Sequence, residues 1–215
     1  IHARSKVGFG HVRLAIVDLD SGAQPMRLEN GNTIVFNGEI YNYIELREEL
    51  GRDSFKTSSD TEVLLRAYDR WGADCVNHLR GMFSFLIWDE AKQQVFFARD
   101  RFGIKPLYYF QSGDGTVYFA SEMKAFKPFM SEREVDPDGL SDYFSFQFCL
   151  GDKTLLRGVR QVLPAHYGFV GADGVVNPVR YWEVHYNLDF DHTDRFFIQR
   201  MRELGGESAR LHMRA

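Results

Sequence analysis

The chain has 215 residues, of which 44% are hydrophobic and 26% are charged, with 30 acidic side chains and 26 lysines and arginines. This length and apolar content fit one large domain, or one domain and a short piece of another, and they exclude a disordered or fibrous chain. A net charge of −4 provides no basic excess for nucleic acid. We therefore expect a small-molecule or protein partner and no nucleic-acid binding.

Cysteine content and hydropathy set the expected compartment. Cys75 and Cys149 are too few for a disulfide framework, which favours a reducing environment. No apolar run approaches membrane-spanning length, and no signal-peptide pattern stands at the N-terminus. The sequence thus predicts a cytoplasmic protein with no membrane partner. The first residue is Ile1 rather than Met, which indicates processing or a missing upstream segment.

The first two-thirds of the chain predicts short strands joined by turns. Residues 7–18 and 33–40 are predicted strands, and the turn pair Asn30-Gly31 precedes the second of them. Because hairpin connections produce antiparallel neighbours, we expect antiparallel sheets. Three hairpins are predicted, formed by residues 82–88 with 95–98, 107–110 with 117–120, and 167–170 with 175–176.

Two helices are predicted in this part of the chain, at residues 44–50 and 61–71. Ser59 and Glu62 match a capping box at the start of the second helix, and Gly72 follows its end. That helix carries one apolar stripe at helical spacing, formed by Val63, Leu64, Ala67, Tyr68 and Trp71.

The last part of the chain has a different composition. Residues 183–194 are rich in Asp and His and are predicted to form a linker. Residues 197–211 then keep helical spacing, although Gly205-Gly206 lies inside the pattern. Each mid-helix glycine costs roughly 1 kcal/mol, so this helix is expected to depend on packing outside the chain.

The most informative segment is residues 36–42, Phe-Asn-Gly-Glu-Ile-Tyr-Asn. A strand that ends in Asn37-Gly38 can direct a side-chain amide and a backbone N–H at one point, as an oxyanion requires in acyl transfer. Asn-Gly is also a common turn pair, so a plain turn is the other interpretation. Local chemistry alone leaves both open.

Two charged residues are further candidates. Arg13 lies in an apolar predicted strand, where a substrate carboxylate, an internal salt bridge or exposure on the strand face could accommodate its charge. Asp60 stands at the start of a predicted helix, where a carboxylate is favoured for structural reasons and could also bind an ammonium group. Residues 99–109 form a charged loop, either solvated or in contact with another domain.

The sequence gives little support for a nucleophilic cysteine within this chain, a metal site or a nucleotide site. Neither Cys75 nor Cys149 has a base nearby in the sequence, and buried structural cysteine is the commoner case. The seven histidines show no metal-type spacing, and no Gly-rich phosphate loop occurs. The sequence therefore predicts no metal or nucleotide site.

From about residue 8 to Trp182, the chain resembles the glutamine-hydrolysing domain of asparagine synthetases, a class II glutamine amidotransferase. The resemblance implies an α+β fold, a four-layer αββα sandwich of the N-terminal-nucleophile hydrolase type. It also implies hydrolysis of glutamine to glutamate and ammonia. The matching runs are residues 13–18 (RLAIVD), 22–26 (GAQPM), 36–42 (FNGEIYN), 59–63 (SDTEV), 80–83 (RGMF), 99–109 (RDRFGIKPLYY) and 121–124 (SEMK).

The resemblance also implies roles for individual residues. Asn37, through its side chain, and Gly38, through its N–H, would form the oxyanion hole. Arg13 would bind the α-carboxylate of glutamine, and Asp60, with Glu39 close by, would bind its α-ammonium group. The remaining implied contacts are backbone groups of Ile16 and Val17 in the site, and a loop at residues 99–105 facing the domain that receives ammonia.

The nucleophile implied by the resemblance is a cysteine at the mature N-terminus, whose own α-amino group serves as the base. Here the first residue is Ile1, and no cysteine lies ahead of Arg13. We therefore expect the nucleophile and its strand to lie upstream, so that the sandwich is N-terminally incomplete and this chain alone lacks the nucleophilic Cys and the ATP site. On this basis residues 1–182 are the amidotransferase domain, and residues 183–215 are a linker and the first helix of a truncated synthetase domain.

The expected partners are glutamine and a synthetase domain of the same polypeptide. ATP and Mg²⁺ are expected for that second domain and no cofactor for this chain, while the oligomeric state, including a homodimer, stays open. Two functions remain: part of an asparagine synthetase-type ligase that amidates aspartate or another carboxylate, or an inactive scaffold like that of β-lactam synthetase relatives. Arg13, Asn37, Gly38 and Asp60 together favour the first, because a scaffold does not need all four.

Overall fold

A computed structural model describes residues 2–4, 7–12, 22–52 and 55–214 of the chain. The helices in these ranges are α1 (Tyr43–Leu50), α2 (Asp60–Trp71), α3 (Cys75–His78), α4 (Pro137–Phe146) and α5 (Asp194–His212). The strands are β1 (His2–Arg4), β2 (Val7–Phe9), β3 (Met26–Arg27), β4 (Thr33–Ile40), β5 (Gly81–Asp89), β6 (Gln94–Arg99), β7 (Tyr108–Gln111), β8 (Val117–Ala120), β9 (Val159–Gln161), β10 (His166–Val170) and β11 (Val179–Arg180).

The centre of the fold is a six-stranded antiparallel sheet in the order β11-β10-β6-β5-β4-β3. Strands β4, β5 and β6 are the long ones, and their register places Asn37 opposite Ser84 and Gly38 opposite Phe83. On its outer side β4 pairs with β3 only at Thr33 and Ile34. The second half of β4 therefore has a neighbouring strand on one side alone among the described residues.

One face of this sheet packs against the helices. Alternate side chains of β4, β5 and β6 point to that face, as strand geometry requires, and the apolar stripe of α2 packs against them. Full burial of each large apolar side chain stabilises the fold by about 1.5–3 kcal/mol. The fully or nearly fully buried contributors include Ile34, Phe36, Val63, Leu64, Phe83, Phe85, Ile87 and Phe96.

The opposite face of the six-stranded sheet packs against a second layer. A three-stranded antiparallel sheet, β8-β7-β9, contributes to a cluster built around Phe97, Leu107 and Val162. Residues of β2 join a smaller cluster around Trp88 on the same face. Helix α4 approaches this layer at Gly139, where an added Cβ would lie 2.2 Å from the Thr154 carbonyl oxygen. The layers follow the order of the predicted αββα sandwich.

Most predicted elements are confirmed, and the structure adds the short elements β1, β3, α3 and β9 that were not predicted. The partner of β10 is β11 at Val179–Arg180 rather than residues 175–176, because the chain continues past the Asp173-Gly174 turn before it pairs. Helix α4 was not predicted. Ser59 caps α2 through the N–H of Thr61, but Glu62 reaches back past Ser59 to the N–H groups of Lys56 and Thr57. Of predicted strand 7–18, Val7–Phe9 is β2 and residues 13–18 lie outside the described ranges.

Helix α5 follows an exposed segment without regular elements at residues 183–193. Thr193 caps the helix by accepting the N–H of Phe196, and Gly205-Gly206 lies within it. None of the α5 residues is buried. Its apolar side chains, among them Ile198 and Met201, are largely exposed.

Candidate active site

Asn37 and Gly38 lie inside β4 and not in a turn, because the strand continues to Ile40. Gly38 has φ +146°, and a Cβ on it would lie 2.0 Å from the carbonyl oxygen of Met82. Across the pair, a Cβ on Gly81 would lie 2.1 Å from the Glu39 carbonyl oxygen. Glycine is therefore required at both positions by the close approach of β4 and β5. The interpretation of Asn37-Gly38 as a plain turn is wrong.

The outer edge of β4 presents a row of backbone N–H groups. The Phe36 N–H donates to Gln24 Oε1 at 2.6 Å, and the Ile40 N–H donates to Asp60 Oδ2 at 3.1 Å. Antiparallel pairing turns the N–H of every second residue to the same side, so the Gly38 N–H lies on this edge between them. Phe83, the residue opposite Gly38, exchanges its backbone hydrogen bonds with Asp100 instead.

The Gly38 N–H therefore has no hydrogen-bond acceptor among the residues that the structure describes. Gly38 is half-buried. The neighbouring Asn37 is also half-buried, and its side-chain amide makes no hydrogen bond within the same ranges. Within the described part of the chain, two polar donors on adjacent residues thus lack an acceptor, and an oxyanion hole requires such a pair.

Asp60 is the first residue of α2 and is almost fully buried. Burial raises the pKa of its carboxyl group, opposed by the backbone N–H groups of Ile40 and Thr61, and the neighbouring charge of Glu39 raises it further. A bound cation strongly stabilises a buried carboxylate that lies beside a second carboxylate, because it offsets both the burial and the repulsion between the two negative charges. The position therefore suits an ammonium group.

A narrow cavity joins the two carboxylates to the end of β4. It brings Glu39 and Asp60 together next to the strand that carries Asn37 and Gly38. Its lining residues are Glu39, Ile40, Tyr41, Tyr43, Asp60, Leu211 and Arg214. Four predicted site residues are therefore placed on β4 and at the start of α2. The other three, Arg13, Ile16 and Val17, lie outside the described residues, and their roles stay predictions.

Two residues that support the site were not singled out from the sequence. Gln24 accepts from the Phe36 N–H and donates through Nε2 to Thr61 Oγ1 at 3.4 Å, so it connects β4 to the start of α2. His11 Nε2 lies 3.1 Å from the Phe36 carbonyl oxygen. Gln24 lies in one of the family-like runs, which is a signal, but its partners depend on tertiary structure.

The loop at residues 99–105 is held from inside by two buried charged residues. Arg99 donates to the carbonyl oxygens of Gly103, Lys105 and Val162 at 2.6–2.8 Å, and burial lowers its pKa. The carboxylate of Asp100 accepts four backbone N–H groups at 3.0–3.1 Å. Its donors are Phe83, Phe102, Ile104 and Lys105.

The same loop presents two apolar side chains outward, with Phe102 69% and Ile104 58% exposed. The Phe102 ring packs edge-on against Trp182, with 5.3 Å between ring centroids. Whether the loop faces an ammonia-receiving domain stays a prediction.

Neither cysteine has the environment of a nucleophile. Cys75 is fully buried in the core under α2, and burial raises the pKa of its thiol. Cys149 is partly exposed, its Sγ lies 3.4 Å from the Gly139 carbonyl oxygen, and burial raises its pKa as well. A reactive cysteine needs a lowered pKa, so both thiols are structural.

Metal-binding clusters and membrane-spanning helices are both absent from the described ranges. No group of three or more His, Cys, Asp or Glu side chains in them could hold a metal ion. No helix in them has the length and apolar character needed to cross a membrane.

Sequence comparison connects this geometry with known proteins. The profile of the glutamine amidotransferase domain family matches residues 1–182. Asparagine synthetase (glutamine-hydrolyzing) 1 of Bacillus subtilis strain 168 is 42% identical over 212 residues, which cover 97% of this chain and 33% of that protein. Amidase chry2 of Gibberella zeae is 39% identical over 184 residues, 84% of this chain and 27% of that protein.

Comparison with solved structures supports the fold. Glutamine phosphoribosylpyrophosphate amidotransferase from B. subtilis, solved with ADP and GMP, matches 80% of this chain and 34% of its own, with a TM-score of 0.56 and 25% identity. The predicted α+β sandwich of the N-terminal-nucleophile hydrolase type is confirmed. Two of the asparagine synthetases match most of this chain, and the chain spans about a third of their length.

Proposed function

Because the chain belongs to the glutamine amidotransferase domain family, we propose that it binds glutamine and promotes its hydrolysis to glutamate and ammonia. The observation that carries this proposal is the gap on the outer edge of β4. There the Gly38 N–H and the Asn37 side-chain amide lie next to each other without an acceptor in the described residues. The pocket with two carboxylates lies directly beside them.

In the proposed reaction, a thiolate attacks the side-chain amide carbon of glutamine and an oxyanion forms on the amide oxygen. The N–H of Gly38 and the side chain of Asn37 donate to that oxygen. The amide nitrogen takes up the proton that the thiol gave to its base, the C–N bond breaks, and ammonia leaves a thioester behind. Water then hydrolyses the thioester to glutamate and free thiol. Loss of one oxyanion donor typically lowers the rate by about a hundred- to a thousandfold. Neither Cys75, which is fully buried in the core, nor Cys149, which follows α4, is assigned as the attacking thiol.

Recognition of the amino-acid end of glutamine is assigned to charged groups. The ammonium group binds beside Asp60 and Glu39, where two negative charges share one cavity. The α-carboxylate binds Arg13, which can offer two parallel N–H donors. Backbone groups of Ile16 and Val17 complete the pocket.

The proposed partner is a synthetase domain of the same polypeptide. The match to about a third of each asparagine synthetase supports this proposal, because the remaining two-thirds of those proteins lie outside it. That domain would use ATP and Mg²⁺ to activate aspartate or another carboxylate for amidation. The relatives carry different names, since one of them is an amidase. The carboxylate that this protein amidates is therefore left open in the proposal. The partner's contact surface includes the loop at residues 99–105 and an exposed aromatic face of α4 and the residues after it, formed by Tyr143, Phe144, Phe146 and Phe148.

We propose the domain division at residue 182, with residues 183–215 as a linker and the first helix of the synthetase domain. The exposed segment at 183–193 and the unburied α5 support it. A cytoplasmic location fits a substrate as common in the cytoplasm as glutamine. A homodimer is compatible with this assignment and would be tested by its mass in solution.

The test uses the whole protein that carries this chain, with Arg13→Ala and Asn37→Ala. We expect both variants to lose glutamine-dependent product formation while ammonia-dependent formation survives, because only glutamine hydrolysis uses these groups. Asn77→Ala is the matched control, since Asn77 is exposed and its side chain bonds locally to Asp74, while its backbone contact with Arg101 would be kept. Wild-type protein without glutaminase activity would support the inactive scaffold instead, and equal loss of both activities in the variants would contradict the residue roles.

A further inference from the structure

The end of α5 contacts the turn that follows β4, far away in the sequence. Arg214 Nη1 lies 2.7 Å from both carboxylate oxygens of Glu45 on α1. The same nitrogen donates to the Tyr41 carbonyl oxygen at 3.3 Å. The ring of His212 lies 4.1 Å from the ring of Tyr41, centroid to centroid, with the rings tilted by 40°. The last residues of the chain thus fix the first residues after the candidate site strand.

A second contact secures the same turn. The guanidinium of Arg80 lies 3.2 Å from Glu207 on α5. The backbone of Arg80 accepts the Tyr41 N–H at 2.7 Å and donates to the Asn42 side chain at 2.8 Å. Helix α5 therefore holds the Tyr41-Asn42 turn both directly and through Arg80.

This turn forms one wall of the pocket with the two carboxylates. Tyr41 follows Ile40, whose N–H orients the Asp60 carboxylate. Leu211 and Arg214 line the same narrow cavity as Glu39 and Asp60. A shift of Arg214 would release the Glu45 carboxylate and the Tyr41 carbonyl oxygen, and this cavity wall would then depend on the contacts of Arg80.

We propose that Arg214 is a positioning residue for the glutamine pocket, acting through Tyr41 and Glu45, so that the placement of α5 sets the affinity for glutamine. This inference rests on the proposed glutaminase function. Arg214 does not touch the reacting atoms. It connects helix α5 to the wall of the binding pocket. A displacement of α5 would therefore weaken glutamine binding.

The test measures glutamate release from glutamine by the whole protein with Arg214→Gln, Glu45→Gln and both changes together. We expect KM for glutamine to rise about two- to fivefold in each single variant, the range for one partly exposed ion pair, with kcat unchanged. The double variant should be no worse than either single one, because both remove the same contact. Arg214→Lys keeps the charge and should recover most of the loss.

Arg200→Gln is the matched control, because Arg200 pairs only with Glu203 on the same exposed helix. An unchanged KM in Glu45→Gln and Arg214→Gln would overturn the inference while wild-type activity upholds the proposed function. An equal rise in Arg200→Gln would also overturn it, since any change on α5 would then act alike. If Arg214→Gln does not fold, the KM of Glu45→Gln for glutamine is the test. Wild-type protein that releases no glutamate would overturn the proposed function, and the inference with it.

Discussion

Asp60 shows how one buried carboxyl group can serve both as part of a helix start and as a ligand group. Its Oδ2 accepts the Ile40 N–H, and it is the first residue of α2. Burial raises its pKa, so in the ligand-free protein it takes up a proton at a higher pH than an ordinary Asp, for which the pKa is about 3.9. Only the ionised form attracts an ammonium group. In the proposed function, glutamine binding and proton release are therefore linked at this residue.

For Asp60 we predict a KM for glutamine that rises as the pH falls through the raised pKa. Asp60→Asn should raise KM at pH 7 by about ten- to a hundredfold, the value of a hydrogen bond to a charged group, and should remove this pH dependence. The readout is glutaminase activity from pH 5 to 8. A variant that keeps the wild-type pH profile would contradict the assignment.

The stability of the same variant provides its control. The folded carboxyl holds its proton to a higher pH than the unfolded one, so its stabilising effect is complete below the unfolded-state pKa and is lost as the pH rises through the folded-state pKa. Ionisation of Asp60 thus opposes folding at neutral pH. Asp60→Asn should melt at pH 7 no earlier than the wild type, so a raised KM would not reflect unfolding.

At the scale of elements, the geometry of the site depends on how closely β4 and β5 approach each other. An alanine at Gly38 would need a strained φ of +146° and would place its Cβ against the Met82 carbonyl oxygen. Overpacking and backbone strain each cost about 1–3 kcal/mol. The backbone of β5 lies so close to Gly38 that there is no space for a side chain there, and this close contact fixes the position of the Gly38 N–H.

We predict that Gly38→Ala lowers the free energy of unfolding by about 2–5 kcal/mol, measured by urea denaturation, and that it abolishes glutamine hydrolysis. Gly113→Ala is the control, because a Cβ there meets no atom within 4 Å. A loss below 1 kcal/mol in Gly38→Ala would show that β4 and β5 can separate at little cost, against the structure.

Sequence patterns predicted the long elements well because each has a strong local signal. Strand Thr33–Ile40 matches its predicted bounds, with a turn pair before it. Helix α2 was found through its apolar stripe and cap. Helix α4 was missed although Asp136 caps it and Pro137 follows at the first helical position, a known start signal. The partner of β10 was placed wrongly because a turn pair does not reveal how far the chain runs before it pairs.

The site was less predictable than the fold. Asn37-Gly38 is locally ambiguous between a strand and a turn, and the family resemblance favoured the functional interpretation. The structure resolves the ambiguity through register, since Gly38 lies opposite Phe83 inside the β4–β5 pair and its N–H points to the outer edge of β4, as those of Phe36 and Ile40 do. Contacts such as that of Gln24 with Phe36 join positions 12 residues apart and have no local pattern.

At the scale of the whole molecule, Asp100 connects segments that are far apart in the chain. Its carboxylate binds the N–H of Phe83 in the six-stranded sheet and three N–H groups of its own loop. Its carbonyl oxygen accepts the Ala165 N–H just before β10. One acidic side chain therefore holds together the central sheet, the exposed loop and the entry to a neighbouring strand.

We predict that Asp100→Asn lowers the free energy of unfolding by about 2–4 kcal/mol, because an amide NH₂ group would face N–H donors that lose their acceptor. Hydrogen exchange should accelerate at Phe102, Ile104 and Lys105. The control is Asp173→Asn, in an exposed turn where Asn is equally suited. Unaltered exchange at these three amides would show that the loop does not depend on Asp100.

The gap on the outer edge of β4 also bears on aggregation. Unpaired strand edges commonly recruit other strands, which leads to intermolecular sheets. Here Gln24 and Asp60 occupy the N–H groups on either side of Gly38, so among the described residues the unfilled stretch is one residue long. A strand added at this point would have to displace both side chains, whereas a single oxygen atom would not. These two contacts therefore protect this part of the edge against intermolecular pairing.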